Sequence, residues 1–309
     1  MCAGNMKTIE TIAAMQADTQ RAVGEGRRVV LVPTMGYLHE GHLSLIRLAR
    51  TEANAHVVVS LFVNPTQFGP SEDFGRYPRD MDRDQRVCVE EKVDVLFCPA
   101  AEEMYASDHS VYLQEEKVSA SLEGKHRPGH FSGVLTVVAK LFLAVKPTVA
   151  VFGQKDAQQL WLIRKMVRDL NFPVCIHAGP TVREPDGLAL SSRNIYLEGG
   201  LREQAAGLSR ALRHAVTLHG EGEKKSAVLR QAAIDSLQGF PDLQLDYIEI
   251  VDEETFAPVP LTHGCCRILI AARVGTTRLI DNMELAEAGG AHGATPDFFP
   301  ASCNYSGSQ

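Results

Sequence analysis

Apolar residues in the first half of the chain fall into short, β-branched runs at 29–33, 56–63 (His-Val-Val-Val-Ser-Leu-Phe-Val), 93–97 and 148–152. Between them, near 40–54, 80–92, 131–145 and 156–170, apolar residues recur at helical spacing. Uninterrupted apolar runs suit strands covered on both faces, and their alternation with helical segments predicts βαβ units around a parallel sheet. From about Leu201 the texture changes. Two helix-like stretches, 201–219 and 223–238, precede strand-like Leu243 to Val251 and Arg267 to Val274, with Gly275-Thr276-Thr277 as a turn. This predicts a smaller second domain. The end of the chain, from Ala286, is rich in Gly, Ala, Ser and Pro without periodicity and reads as a loose tail.

Composition narrows the function. At 309 residues, 45% hydrophobic and 22% charged, the chain can hold two globular domains. A net charge of −7 excludes an extended nucleic-acid footprint but leaves room for a basic pocket around one nucleotide, so the expected partner is a small molecule. The seven cysteines are an odd count with no Cys-x-x-Cys pair, which points to neither a disulfide framework nor a zinc site. No apolar run approaches the roughly 20 residues of a membrane span, and the opening Met-Cys-Ala-Gly-Asn-Met-Lys has no signal-like apolar segment; a reducing cytoplasm is expected.

The candidate chemistry centres on Val32-Pro-Thr-Met-Gly-Tyr-Leu-His39-Glu-Gly-His42, at the handover from the first strand-like run to a helix. A helix start offers unpaired N–H groups and a positive dipole end, which suit a triphosphate. His39 and His42, three apart on one helical face, can add protons there, and Gly41 between them lets a base or ribose approach the backbone. Gly36 and Gly41 read equally as plain turn residues with surface histidines nearby. A zinc His-Glu-x-x-His site does not fit, because its histidines are four apart on a continuous helix.

Three other polar segments follow strands or join the domains. In Asn64-Pro65-Thr66-Gln67, Pro65 ends the ladder and Gln67 offers both a donor and an acceptor to a hydroxy acid, unless the segment is a simple turn. In Gly153-Gln154-Lys155-Asp156, Lys155 can bring a point charge to phosphates and Asp156 can hold ribose hydroxyls; Asp156 with Gln159 also has the spacing of a capping box. Leu190-Ser191-Ser192-Arg193 suits a loop that folds over a bound triphosphate, or an ordinary linker.

Taken together, Pro-Thr-Met-Gly-Tyr-Leu-His-Glu-Gly-His, Phe-Val-Asn-Pro-Thr-Gln-Phe, Arg127-Pro-Gly-His-Phe-Ser-Gly-Val134, Phe-Gly-Gln-Lys-Asp-Ala-Gln-Gln and Asp-Gly-Leu-Ala-Leu-Ser-Ser-Arg-Asn resemble the pantoate–β-alanine ligases. These belong to the nucleotidyltransferase superfamily with the His-x-Gly-His signature, and the likeness runs from about residue 8 to 283. It implies an α/β fold, with a Rossmann-like parallel-sheet domain over 1–187 that binds nucleotide and pantoate, a smaller α+β C-terminal lid over 188–285, and the tail 286–309. It implies ATP-dependent condensation of (R)-pantoate with β-alanine to pantothenate, AMP and pyrophosphate through a pantoyl adenylate, in coenzyme A biosynthesis. A homodimer and Mg²⁺ with ATP come with it.

By position, the resemblance assigns ATP contacts to Met35, Gly36, Tyr37, Leu38, His39, Glu40, Gly41 and His42, with His42 as proton donor. Gly153, Gln154, Lys155 and Asp156 bind ribose and phosphate, Val182 the adenine, and Leu190, Ser191, Ser192 and Arg193 form the second signature loop. Gln67 and Gln159 hold pantoate, with Gln67 also near β-alanine. The Mg²⁺ ligands do not carry over; Asp82 and Asp84 are candidates. Catalysis would then rest on His39, His42, Lys155 and Arg193 aimed at charge moving onto the phosphates, with the lid closing over a water-sensitive adenylate. Two other readings compete: an adenylyltransferase acting on a phosphate acceptor, which Gln67 and Gln159 disfavour, and a noncatalytic nucleotide-binding module.

Overall fold

The structure, a computed structural model, describes residues 6–70 and 72–286. Contacts divide them into two units. The first runs to Gln154 and resumes over Gln159–Pro180; the second comprises Lys155–Gln158 and the described chain from Thr181 onward. The predicted tail lies, from residue 287, outside the described residues.

In the first unit, β1 (Lys7–Ile9), β2 (Arg28–Thr34), β3 (Ala55–Leu61), β4 (Val95–Phe97), β5 (Val149–Gly153) and β6 (Cys175–Gly179) form one sheet, ordered β1-β4-β3-β2-β5-β6 and parallel throughout. Their connections carry α1 (Ile12–Gly24), α2 (Glu40–Arg50), α3 (Met81–Glu90), α4 (Ala101–Met104), α5 (Glu123–His126), α6 (His130–Val145) and α7 (Ala157–Asp169). The apolar runs are strands because helices cover both faces: Val29 to Val32 and Val57 to Val59 are fully buried. Sequence patterning missed β1 and β6, the two edges, whose residues are mostly half-exposed and carry no such run.

The strand order decides where a ligand binds. From β2 the chain builds one way through β3 and β4, then returns to the other side of β2 with β5 and β6. In such a sheet the crevice opens outside the carboxyl ends of the two strands at the reversal, here β2 and β5. Met35 follows β2, Asn64 to Gln67 follow β3, and Gln154 follows β5.

The second unit packs α8 (Leu201–Gly220) and α9 (Ser226–Ser236) on an antiparallel sheet of β7 (Leu243–Asp252), β8 (Cys266–Val274) and β9 (Thr277–Leu285), in that order. Leu208, Leu212 and Leu229 from the helices meet Ile250, Ile268 and Ile270 from the strands in one buried core. Strand β9 was not predicted. It follows the foreseen turn at Gly275 (φ +59°), but Arg278, Asp281, Asn282 and Glu284 interrupt its apolar pattern. Among the described residues, no helix is long and apolar enough to cross a membrane.

Candidate functional site

At the end of β2 the backbone turns through two successive left-handed residues, Gly36 (φ +87°) and Tyr37 (φ +52°). A carboxylate from α3 holds it there. Asp84 Oδ2 accepts the Tyr37 N–H at 2.7 Å and Oδ1 the Leu38 N–H at 2.8 Å, while the Arg83 guanidinium lies 5.1 Å from the Tyr37 ring centre. A Cβ at position 36 would stand 3.1 Å from Asp84 Oδ2, so this turn needs glycine twice over, for φ and for space. Asp84 is buried, and burial raises its pKa despite the two N–H donors. Of the two Mg²⁺ candidates, Asp84 thus has each oxygen engaged by one N–H of the loop. Asp84→Asn leaves one of the two N–H groups facing an amide –NH₂, an unpaired buried donor that costs about 1–3 kcal/mol. We expect a lower melting temperature and faster amide exchange at Tyr37 and Leu38; unchanged exchange there would break this assignment.

The histidines cap their own helix. His39 is the N-cap of α2: its Nδ1 accepts the Gly41 N–H at 3.2 Å, while His42 Nδ1 accepts the His39 N–H at 3.3 Å, and the ring centres lie 4.1 Å apart. This is a capping box built from imidazoles. With each Nδ1 an acceptor, a neutral ring carries its proton on Nε2, the form of a hydrogen-bond donor. The structure thus places both histidines at a helix start, where the motif predicted them.

Gln67 sits in a turn of its own, the 3₁₀ segment Pro65–Gln67, and is buried. Its Oε1 accepts from Asn64 Nδ2 at 3.1 Å and its Nε2 donates to Met35 Sδ at 3.2 Å, which joins the β2 and β3 segments. Each amide atom keeps one further hydrogen-bonding position for a ligand. Asn64 in turn donates to the Gly133 carbonyl at 3.1 Å and accepts from Tyr105 Oη at 2.8 Å. The motif Arg127-Pro-Gly-His-Phe-Ser-Gly-Val134 supplies the rest of the support. His130 Nδ1 meets the Gln67 carbonyl at 2.8 Å, its Nε2 lies 3.0 Å from Arg127 Nη1, and Arg127 forks onto Glu72 at 2.6 and 2.8 Å. Asn64, Tyr105, His130 and Gly133 had no assigned role from sequence, since nothing local links α6 to the turn after β3.

This geometry makes His130 neutral, donating from Nδ1 and accepting at Nε2. Burial first, and the Arg127 guanidinium second, push its pKa down to about 4 from an ordinary 6.5. Between those values the unfolded chain binds a proton that the folded chain does not. The His130 contribution is therefore complete above pH 6.5 and is lost as pH falls from there through 4, a change of about 3 kcal/mol. We expect His130→Gln to flatten the fall in melting temperature across that window; an identical slope in both proteins would refute it.

The remaining predicted residues are divided between the units. Gly153, Gln154 and Gln159 belong to the first; Lys155, Asp156, Val182 and Leu190 to Arg193 belong to the second. There Val182 and Leu190 are brought together, with the Leu190 N–H on the Val182 carbonyl at 3.0 Å and a bridge between Arg183 and Ala189. Gly187, at φ +96°, closes the turn between them. Ser191 caps the 3₁₀ turn Ser192–Tyr196 by accepting the Arg193 N–H at 3.3 Å. Lys155 and Asp156 end the 3₁₀ turn Gln154–Asp156 that follows β5, and the Lys155 carbonyl accepts from Asn282 Nδ2 at 2.8 Å. Among the described residues, no three His, Cys, Asp or Glu side chains gather as a metal site.

Comparison with known proteins places this arrangement among relatives. The pantoate-beta-alanine ligase family model matches residues 7–284. The pantothenate synthetase of Thermotoga petrophila is 52% identical over 277 residues, covering 90% of this chain and 99% of that protein. Among solved structures, the pantothenate synthetase of Thermus thermophilus superposes with a TM-score of 0.87 at 48% identity, over 91% of this chain and 100% of that one. The pantoate-beta-alanine ligase of Francisella tularensis, complexed with beta-gamma ATP and beta-alanine, gives 0.75 at 34% identity over 90% and 97%.

Proposed function

The chain belongs to the pantoate–β-alanine ligase family, and from that premise we propose that it condenses (R)-pantoate with β-alanine, using ATP, through a pantoyl adenylate. Carboxylate and amine do not join unaided at neutral pH, because oxide is a poor leaving group and the amine is mostly protonated. Activation solves the first problem. The pantoate carboxylate attacks the α-phosphorus of ATP, pyrophosphate leaves, and the β-alanine amine then displaces AMP from the mixed anhydride. The first nucleophile is already ionised, so the protein has charge to stabilise rather than a proton to remove.

In this reading the donors at the start of α2 receive the triphosphate, with His39 beside the phosphates and His42 giving a proton to the departing oxygen. Lys155 and Arg193 balance the charge that pyrophosphate gains. Gly153, Gln154 and Asp156 take the ribose and phosphate side, Val182 the adenine, and Gln67 and Gln159 the hydroxy acid. Mg²⁺ arrives as part of the ATP substrate, on phosphate oxygens and water, as small hard cations commonly bind. The second unit acts as a lid, and protection of the Ser191 loop by bound adenylate tests that closure. A cytoplasmic homodimer completes the reading, resting on the family resemblance alone.

The observation that carries the proposal is the mutual capping of His39 and His42 at a helix start beside the reversal of strand order. It supports an anion site whose donors are backbone and imidazole together. The test is AMP release with pantoate, β-alanine and Mg-ATP, repeated with each omitted, beside ATP–pyrophosphate exchange. Exchange should require pantoate and not β-alanine; exchange driven by a phosphate acceptor instead would overturn the reading.

A further inference from the structure

We propose that Asp281 and Asn282, consecutive buried residues on β9, are positioning residues that hold Lys155 and the second signature loop in one bracket. The inference rests on the reading of Lys155 and Arg193 given above. Each of the two residues is 3% exposed, and each side chain reaches a different segment. Asn282 Nδ2 donates to the Lys155 carbonyl at 2.8 Å, and its Oδ1 is fixed by Arg267 Nη1 at 2.7 Å. Asp281 grips Arg183 with both oxygens, at 2.7 and 2.9 Å, and its Oδ1 also takes the Asn282 N–H at 2.7 Å. Arg183 passes the hold onward. Its Nη1 donates to the Gly187 carbonyl at 3.0 Å and its Nη2 to the Asn282 carbonyl at 3.1 Å, while its backbone bridges Ala189 just before Leu190 to Arg193.

Stability alone does not explain this arrangement. Apolar residues of similar volume in place of a buried ion pair are often neutral or stabilising, so the sheet has no need of a carboxylate here. What an apolar side chain cannot do is grip a carbonyl and a guanidinium from two other segments. Lys155–Gln158 group with the C-terminal unit although they follow β5 in the chain, and Asn282 bonds the first of them. Lys155 and Arg193, 38 positions apart, are thereby referenced to the same two residues of one strand.

Asn282→Asp keeps the acceptor for Arg267 and turns the donor to Lys155 into an acceptor facing a carbonyl. The expected result is a loss of about 10- to 100-fold in kcat for pantoate-dependent pyrophosphate exchange, the scale of a misplaced catalytic group, with KM for pantoate unchanged. Asp281→Asn should act alike through the loop. The decisive measurement is a double-mutant cycle with Lys155→Ala. A residue acting through Lys155 adds nothing once the ammonium is gone, so the double variant should match Lys155→Ala; losses that multiply overturn the bracket. If Asn282→Asp does not fold, the same cycle with Asp281→Asn and Arg193→Ala decides. Asn282→Asp at the wild-type rate beside a crippled Lys155→Ala also overturns it. Full activity in Lys155→Ala and Arg193→Ala instead defeats the site reading, and the bracket falls with it.

Discussion

Lys155→Ala should lower kcat by about 10²–10³-fold, or roughly 3–4 kcal/mol of transition-state stabilisation, with little change in melting temperature. Two effects compete at this position. Lys155 is half-buried in the middle of a 3₁₀ turn, and it is the backbone carbonyl that Asn282 engages, which alanine retains. Truncation therefore removes charge without opening a core, and such substitutions usually stay within about 0.5 kcal/mol in stability. The loss in rate belongs to the phosphates. Pyrophosphate gains charge as the α-phosphorus is attacked, and a fixed ammonium offsets it without solvent reorganisation. Lys155→Arg should recover only part of the rate, since a planar fork cannot take the place of a compact point charge. Rapid-quench measurement of pyrophosphate release separates this from a binding defect. A wild-type rate for Lys155→Ala would remove the ammonium from the mechanism.

The centre of the fold was legible because its signal is local. Strands β2, β3 and β5 are apolar runs and read directly, as did the helices between them and the turn at Gly275. The edge strands β1 and β6 were not legible, since partial exposure removes the apolar run that marks a buried strand. Strand β9 failed for a more instructive reason. Its polar residues Asp281 and Asn282 are as buried as core, and patterning cannot tell a buried carboxylate from a solvated one.

The site divides in the same way. The histidine pair was visible because both partners lie within four positions and geometry at a helix start links them. Asp84 contacts residues 46 and 47 positions away, and Asn282 reaches a carbonyl 127 positions away. Bonds from side chain to distant backbone leave no periodicity. The motif containing His130 and Gly133 was recognised through family likeness, yet its task, to set the turn that holds Gln67, emerged only from contacts.

Gly133→Ala should destabilise the protein and impair pantoate use together, against the ordinary sign for glycine to alanine in a helix. Alanine favours a helix interior over glycine by about 1 kcal/mol. At 133, however, a Cβ would stand 2.5 Å from the Thr66 carbonyl oxygen, 2.6 Å from its carbon and 2.8 Å from Gln67 Cα. All three are backbone atoms and cannot rotate aside, so α6 must back away from the turn. Overpacking of this kind costs about 1–3 kcal/mol. The retreat also stretches the bonds from Asn64 to the Gly133 carbonyl and from His130 to the Gln67 carbonyl, each worth about 1 kcal/mol. Crowding plus lost bonds outweighs propensity. Displacing the Gln67 amide by even 1 Å from a hydroxy acid should cost about 10²-fold in kcat/KM for pantoate. Gly24→Ala supplies the matching control, because α1 ends there with nothing within 4 Å of the added methyl; it should be neutral or slightly stabilising. Paired melts and pantoate saturation curves should therefore separate the two variants, with both measures impaired only in Gly133→Ala. If Gly133→Ala instead behaves like Gly24→Ala, α6 does not set the Gln67 turn.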